Sequence, residues 1–145
     1  YKLFRNSHIY DIVLPFEKGE DGHADGDVVF HAITDAVLGA SGLGDIGSYF
    51  PPEDAKWKDA DSAQLLSAVL KDVYAKGWKI ENLDCVIKLE KPKFIPFRQQ
   101  VVNTIASVMG IAADEVFVKA KTGEKLPPVG TGEAVEAYCT CLLSK

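Results

Sequence analysis

Two spacings organise this chain. From Val28 onward the apolar residues Val28, Phe30, Ile33, Val37 and Leu38 recur at the interval of a helical face. That predicts a helix starting at Asp27 and closed by the glycines between 39 and 44. Leu65, Leu66, Val69, Leu70 and Val73 repeat the pattern; Asp61-Ser62 supplies a cap before them and Gly77 a stop after them. Pro92 and Pro96 bracket a turn, and a third helix is predicted from Phe97 to Met109, ended by Gly110. Short β-prone runs predict strands at Ile9 to Pro15, Cys85 to Leu89, Glu115 to Ala120 and Ala134 to Leu143. In the last of these, Val135, Ala137, Cys139, Cys141 and Leu143 share one side. Glu136, Tyr138 and Thr140 share the other, a half-polar face suited to solvent or to a second subunit. Strands alternating with helices predict an α+β fold: two layers, with helices on one face of a mixed sheet, in a single domain over residues 1–145.

Composition narrows the possibilities. No run reaches the apolar length of a membrane span, and the first residues lack the apolar stretch of a signal peptide, so neither membrane nor export is expected. A formal net charge of −5 without a basic stripe argues against extended nucleic acid, whose affinity comes from neutralising many phosphates. A single small diphosphate is a different matter, because a few amides and one or two lysines can hold it. The three cysteines, Cys85, Cys139 and Cys141, are odd in number and form no C-x-x-C, so buried free thiols are expected rather than disulfides or a zinc knuckle.

Four clusters could carry chemistry. The first runs from His23 and Ala24 through Asp27 to His31 and Asp35. Asp27, His31 and Asp35 share one stripe of a helix, where a carboxylate could fix the imidazole tautomer as a metal ligand requires; a satisfied histidine at the core edge is the plainer reading. The second, Gly44 to Asp54, combines glycines that let a ligand approach the backbone with Asp45, an acceptor for sugar or polyol hydroxyls. The third, Leu89 to Pro96, is a proline-fixed turn that presents backbone groups rigidly, with Lys93 at hand for a phosphate. The fourth, Lys119 to Leu126, offers the Thr122 hydroxyl, the hard oxygens of Glu124 for a divalent cation, and Lys125. Taken singly, the second is an acidic surface loop and the third is a turn.

Their order is more specific than any of them alone. His-x-Asp-Gly-Asp-Val-x-x-His-Ala-x-x-Asp-Ala-x-Leu-Gly-Ala is followed by Gly-Asp-Ile-Gly-x-x-Phe-Pro and Trp-Lys-x-Ala-Asp-Ser. Pro-Lys-x-x-Pro, Lys-Ala-x-Thr-x-Glu-Lys-Leu and a late Gly-x-Gly-Glu come after. From about Leu14 to the C-terminus this series resembles the 2-C-methyl-D-erythritol 2,4-cyclodiphosphate synthase family of the non-mevalonate isoprenoid route. The resemblance implies a homotrimer with active sites between subunits, in bacterial cytoplasm or plastid stroma. It implies conversion of 4-diphosphocytidyl-2-C-methyl-D-erythritol 2-phosphate to the cyclic diphosphate: the 2-phosphate attacks the β-phosphorus and CMP leaves. It also implies zinc, with His31 as a ligand, and magnesium or manganese, with Glu124 as a ligand. His23 and Thr122 would stabilise the transition state. Asp45 and Gly47 would hold the methylerythritol part, with Phe50, Pro51, Pro52, Glu53 and Asp54 close by, and Ala24 and Ile46 would also bind substrate. Leu89, Pro92, Lys93, Phe94, Ile95, Lys121, Gly123 and Thr131 would hold the cytidine and phosphates.

The chain also departs from the family pattern. The family draws two further zinc ligands from an Asp-x-His after its first strand; no such motif stands before Leu14, and counting back places it at Tyr1 or just ahead of it. Ala24 replaces a serine, Lys121 and Gly123 interrupt a threonine run, Pro127-Pro128 replaces Gly-Phe, and Thr131 replaces an arginine that could clamp phosphate with two hydrogen bonds. The alternative these changes suggest is a family member without turnover, acting as a trimer that binds a nucleotide or an isoprenoid diphosphate; a metal-dependent phosphohydrolase is a third reading.

Overall fold

The computed structural model describes residues 7–9, 12–14, 28–51, 53–54, 57 and 60–145. Strands β1 (Ser7–Ile9) and β2 (Ile12–Leu14) pair antiparallel, with Ile9 opposite Ile12. One strand was expected from Ile9 to Pro15. Apolar alternation announces extended chain but does not reveal that two short pieces face each other.

Helix α1 (Val28–Ser41) follows, then the short α2 (Ile46–Tyr49), α3 (Ser62–Ala75), β3 (Lys79–Lys88), α4 (Arg98–Met109), β4 (Val116–Lys121) and β5 (Glu136–Ser144). The caps are those the sequence calls for. Asp61 is extended and its carboxylate accepts from the Gln64 N–H at 2.8 Å, starting α3. Gly110 takes φ 69°, a left-handed conformation that costs glycine little, and its N–H donates back to the last turn of α4. Helix α2 was expected to be loop; Asp45 caps it by accepting from the Ser48 N–H at 2.7 Å, a side-chain device too short to show as periodicity.

The three-stranded sheet has the order β4-β3-β5, with β3 parallel to β4 and antiparallel to β5. It is therefore mixed, as expected, and central β3 is twice the predicted length. A register shift between Ile80 and Asn82 puts Ile80 and Leu83 both on the buried side, which breaks the period of two and hides the first half of the strand from a pattern reading. Helix α1 packs on β5 and on α3, and α4 packs on β4 and α3, so the helices cover one sheet face. Phe30, Ile33, Leu66, Val69, Ile87, Ile105 and Met109 are fully or almost fully buried between the layers. Val135, just before β5, and Ala137, Cys139, Cys141 and Leu143 within it join that core, as their alternation predicts. The other face carries Phe117, Tyr138 and Leu142, each more than half exposed.

Cys85 and Cys139 are cross-strand partners with sulfurs 2.6 Å apart, and all three cysteines are free. The contact with Cys85 and burial push the Cys139 thiol far above its ordinary pKa. Among the described residues, no helix is long and apolar enough to cross a membrane.

Candidate active site

Two groups of expected site residues emerge, and the first surrounds a cavity of about 490 Å³. Its walls are His31 from α1, Ile46 and Gly47 from α2, Phe50, Pro51 and Asp54 from the loop beyond, Trp57, and Leu65 from α3. Six of these eight, His31, Ile46, Gly47, Phe50, Pro51 and Asp54, belong to the expected set. The loop is fastened at both ends of α2. Asp35, on α1, accepts from the Ile46 N–H at 2.8 Å and so ties the start of α2 to the side of α1. At the other end, Tyr49 stacks edge-on to Phe50 with ring centres 4.9 Å apart, and Phe50 does the same to Trp57 at 4.8 Å. The Tyr49 hydroxyl donates to the Asp72 carboxylate on α3. Burial, reinforced by that carboxylate, pushes the Tyr49 pKa up to about 12.

The Asp35 contact revises the stripe expected from spacing. One oxygen of Asp35 serves a backbone amide of α2, and the imidazole Nε2 of half-buried His31 lies 3.1 Å from the Ser62 hydroxyl at the start of α3. Asp45 is exposed and its carboxyl is held below the usual range, first by the Ser48 backbone N–H and then by the Ser48 side chain and the Gly47 N–H. It is a carboxylate at neutral pH, an acceptor for hydroxyl groups. Glu53 is exposed beside this loop. His23, Ala24, Asp27 and Pro52 lie outside the described residues.

The second group sits at the ends of β3 and β4. The Leu89 N–H donates to the Lys121 carbonyl at 2.9 Å, and the Gly123 N–H donates to the Glu90 carboxylate at 3.1 Å. These two bonds bring the turn around Pro92 and Lys93 beside the loop holding Lys121, Thr122, Gly123 and Glu124. The Thr122 hydroxyl donates to Glu124 at 2.7 Å. Glu124 and Lys125 both have positive φ, 52° and 62°. Lys93, Ile95, Lys121, Thr122, Glu124 and Thr131 are exposed, whereas the Leu89 and Phe94 side chains are buried in the core. Those two therefore offer a ligand backbone groups rather than side chains. The Thr131 hydroxyl is used inside its own loop, 3.1 Å from the Pro128 carbonyl and 2.8 Å from the Glu133 carboxylate.

Neither Thr122 nor any other residue of this second group lines the cavity beside His31. Among the described residues, no three His, Cys, Asp or Glu side chains gather as a metal centre requires. Sequence reasoning did not assign Trp57, Ser62 or Leu65 to a site, and Glu90 fell within the Leu89 to Pro96 cluster without a role of its own. Trp57 and Ser62 stand inside the Trp-Lys-x-Ala-Asp-Ser block, where Ser62 was read with Asp61 as a cap; nothing local marks Leu65.

The YgbB family model matches residues 4–144. A 2-C-methyl-D-erythritol 2,4-cyclodiphosphate synthase from Treponema denticola is 54% identical over 130 residues, covering 90% of this chain and 81% of its own. The synthase of the same name from Neisseria gonorrhoeae is 48% identical over 132 residues, covering 91% and 82%. A solved structure of a 2C-methyl-D-erythritol-2,4-cyclodiphosphate synthase in a CDP-bound form superposes with a TM-score of 0.88 at 34% identity, over 99% of this chain and 95% of that one.

Proposed function

The chain belongs to the YgbB family, and from that premise we propose that it is a phosphorus–oxygen lyase that closes 4-diphosphocytidyl-2-C-methyl-D-erythritol 2-phosphate to 2-C-methyl-D-erythritol 2,4-cyclodiphosphate and releases CMP. The observation that carries this reading is the cavity beside His31, five of whose eight wall residues, Ile46, Gly47, Phe50, Pro51 and Asp54, are ones the family resemblance implies for substrate binding. Relatives at 48–54% identity carry the synthase name, which does not favour the alternative of a binding module without turnover.

In this reading the reaction is intramolecular: a phosphate oxygen bonds to the β-phosphorus, the bond to the CMP oxygen breaks, and CMP carries away the displaced charge. Positioning is then most of the catalysis. Asp45, ionised and exposed next to Gly47, accepts from the polyol hydroxyls. Phe50 and Trp57 keep one wall apolar and narrow the space left to water. The turn with Lys93 holds the nucleotide and its charge, Thr122 donates to the phosphates, and His23 is included as a second group that stabilises the transition state. Glu53, Asp54, Ile95, Gly123 and Thr131 complete the contacts.

Assembly as a homotrimer belongs to the same proposal. Among the described residues, no member of the lysine-bearing group lines the cavity, and a neighbouring copy can bring the two together. The open sheet face with Phe117, Tyr138 and Leu142 supplies apolar surface for that contact. Zinc at His31 and magnesium or manganese at Glu124 are included as well. Such ions would polarise the phosphates, although the described residues alone do not complete a ligand set.

The test is CMP release from the diphosphocytidyl substrate by the assembled protein supplied with zinc and magnesium. Turnover to the cyclic product is expected, and its absence in the assembled, metal-loaded protein would overturn the reading. Zinc content measured on His31→Ala should fall to background; retention of the metal would remove His31 from the ligands.

A further inference from the structure

The link between the two loops of the second group rests on a side chain to which nothing above gives a part in the reaction. Half-buried Glu90 follows β3 and accepts the Gly123 N–H at 3.1 Å. Gly123 stands between Thr122 and Glu124, the two residues read as acting on the phosphates. Its backbone is pressed against the opposite side of the same loop: a Cβ placed there would lie 2.2 Å from the Gly130 nitrogen. The next two residues, Glu124 and Lys125, are both left-handed without being glycine, which local preference alone does not favour. Such a turn stays in place only if tertiary contacts fix it. Two of those contacts come from inside the loop, the Leu126 N–H to Gly123 carbonyl bond at 2.9 Å and the Gly130 N–H to Leu126 carbonyl bond at 2.7 Å. The Glu90 carboxylate comes from outside it, and a charged acceptor on a backbone amide is among the stronger hydrogen bonds available.

We infer that Glu90 is a positioning residue: through the Gly123 amide it sets the placement of Thr122 and Glu124 relative to the nucleotide-holding turn on which it is itself carried. This rests on the proposed lyase activity for its kinetic consequence, but not for its structural one. It makes Glu90 the coupling between base recognition and phosphate chemistry, acting through another residue and not by touching the substrate.

Two variants of the full, assembled chain, Glu90→Ala and Glu90→Gln, compared with the wild type, separate this from other roles. In Glu90→Ala, kcat for CMP release should fall ~10- to 100-fold while the affinity for CMP alone changes less than about threefold, since the turn survives and the phosphate loop does not. Amide exchange at Gly123 should quicken by ~10-fold or more, the loss of one hydrogen bond to a charged group. Glu90→Gln keeps a side-chain carbonyl acceptor and should recover most of both losses. A fall in CMP affinity with unchanged exchange at Gly123 would show that Glu90 contacts the nucleotide and would overturn the inference. A Gln variant as impaired as the Ala variant would do the same, because the charge and not the acceptor would then matter. If the wild type itself releases no CMP, the functional reading fails, and exchange at Gly123 still decides the role of Glu90.

Discussion

Adding one methyl group at position 123 tests how closely the phosphate-side loop must fit. In Gly123→Ala the new Cβ would lie 2.2 Å from the Gly130 nitrogen, 2.7 Å from its Cα and 2.9 Å from the Val129 carbonyl carbon. Ordinary contact begins at 3.4 Å, and all three obstacles are backbone atoms that cannot swing aside as a side chain would. The two sides of the loop must therefore part by more than ~1 Å to restore normal separations. Thr122 and Glu124 flank the residue that moves, so the displacement passes to them directly. A misplacement of that size at reacting groups costs about 100-fold in rate. Overpacking costs about 1–3 kcal/mol, so the folded state should persist. The assay pairs CMP release with thermal unfolding of the same preparation. A large loss of kcat/KM with only a modest fall in Tm is expected. A variant that turns over within threefold of wild type would refute the reasoning, since the loop would then have absorbed the methyl group without disturbing its neighbours.

Three further outcomes follow from the geometry. Asp61→Ala removes the cap of α3 and should lower stability by about 1 kcal/mol in denaturant titration, whereas an unchanged midpoint would mean the Gln64 amide finds another acceptor. Tyr49 has a folded-state pKa raised to about 12 from 10.0, so its contribution to stability is complete below pH 10 and is lost as pH rises toward 12. The stability gap between wild type and Tyr49→Phe should therefore narrow over that interval, and a gap independent of pH would show that the phenol is not held in its neutral form. Tyr138→Glu places a charge on the open sheet face and should shift the sedimentation coefficient to that of the single chain; an unaltered assembly would move the contact elsewhere.

The helices and strands were legible where local chemistry fixes them. The Asp61 cap, the Gly77 and Gly110 stops and the apolar faces of α1, α3 and β5 are each written within a few residues of one another. The long β3 was not, because the irregularity between Ile80 and Asn82 interrupts the alternation that would have announced it. The site shows the same division. His31 was legible as a candidate, but its nearness to Ser62 depends on how α1 packs against α3, and Asp35 reaches Ile46 across a turn. Both pairings depend on tertiary packing that helical spacing does not contain. Gly123 was visible only as a break in a run of threonines. That it must be small follows from Gly130, which comes to lie against it through the folding of the whole loop.

Charge supports the proposal that the two groups serve one site, although among the described residues only the first lines the cavity. The cavity beside His31 has apolar walls, one histidine and Asp54, with Asp45 ionised at the edge of the same short helix. Among the described residues, the walls of this cavity carry no lysine or arginine, so by themselves they suit hydroxyl groups better than a diphosphate. The exposed Lys91, Lys93, Lys121 and Lys125 lie instead on the turn and loop joined by Glu90 and Gly123. Thr131, with its hydroxyl already engaged by Pro128 and Glu133, adds no cation where an arginine would have done so. A substrate carrying a polyol at one end and a nucleoside diphosphate at the other matches the first group at one end and the second at the other. In the proposed trimer, joining the groups across neighbouring copies would bring these lysines to the phosphates, and assembly would be a condition of catalysis rather than an addition to it.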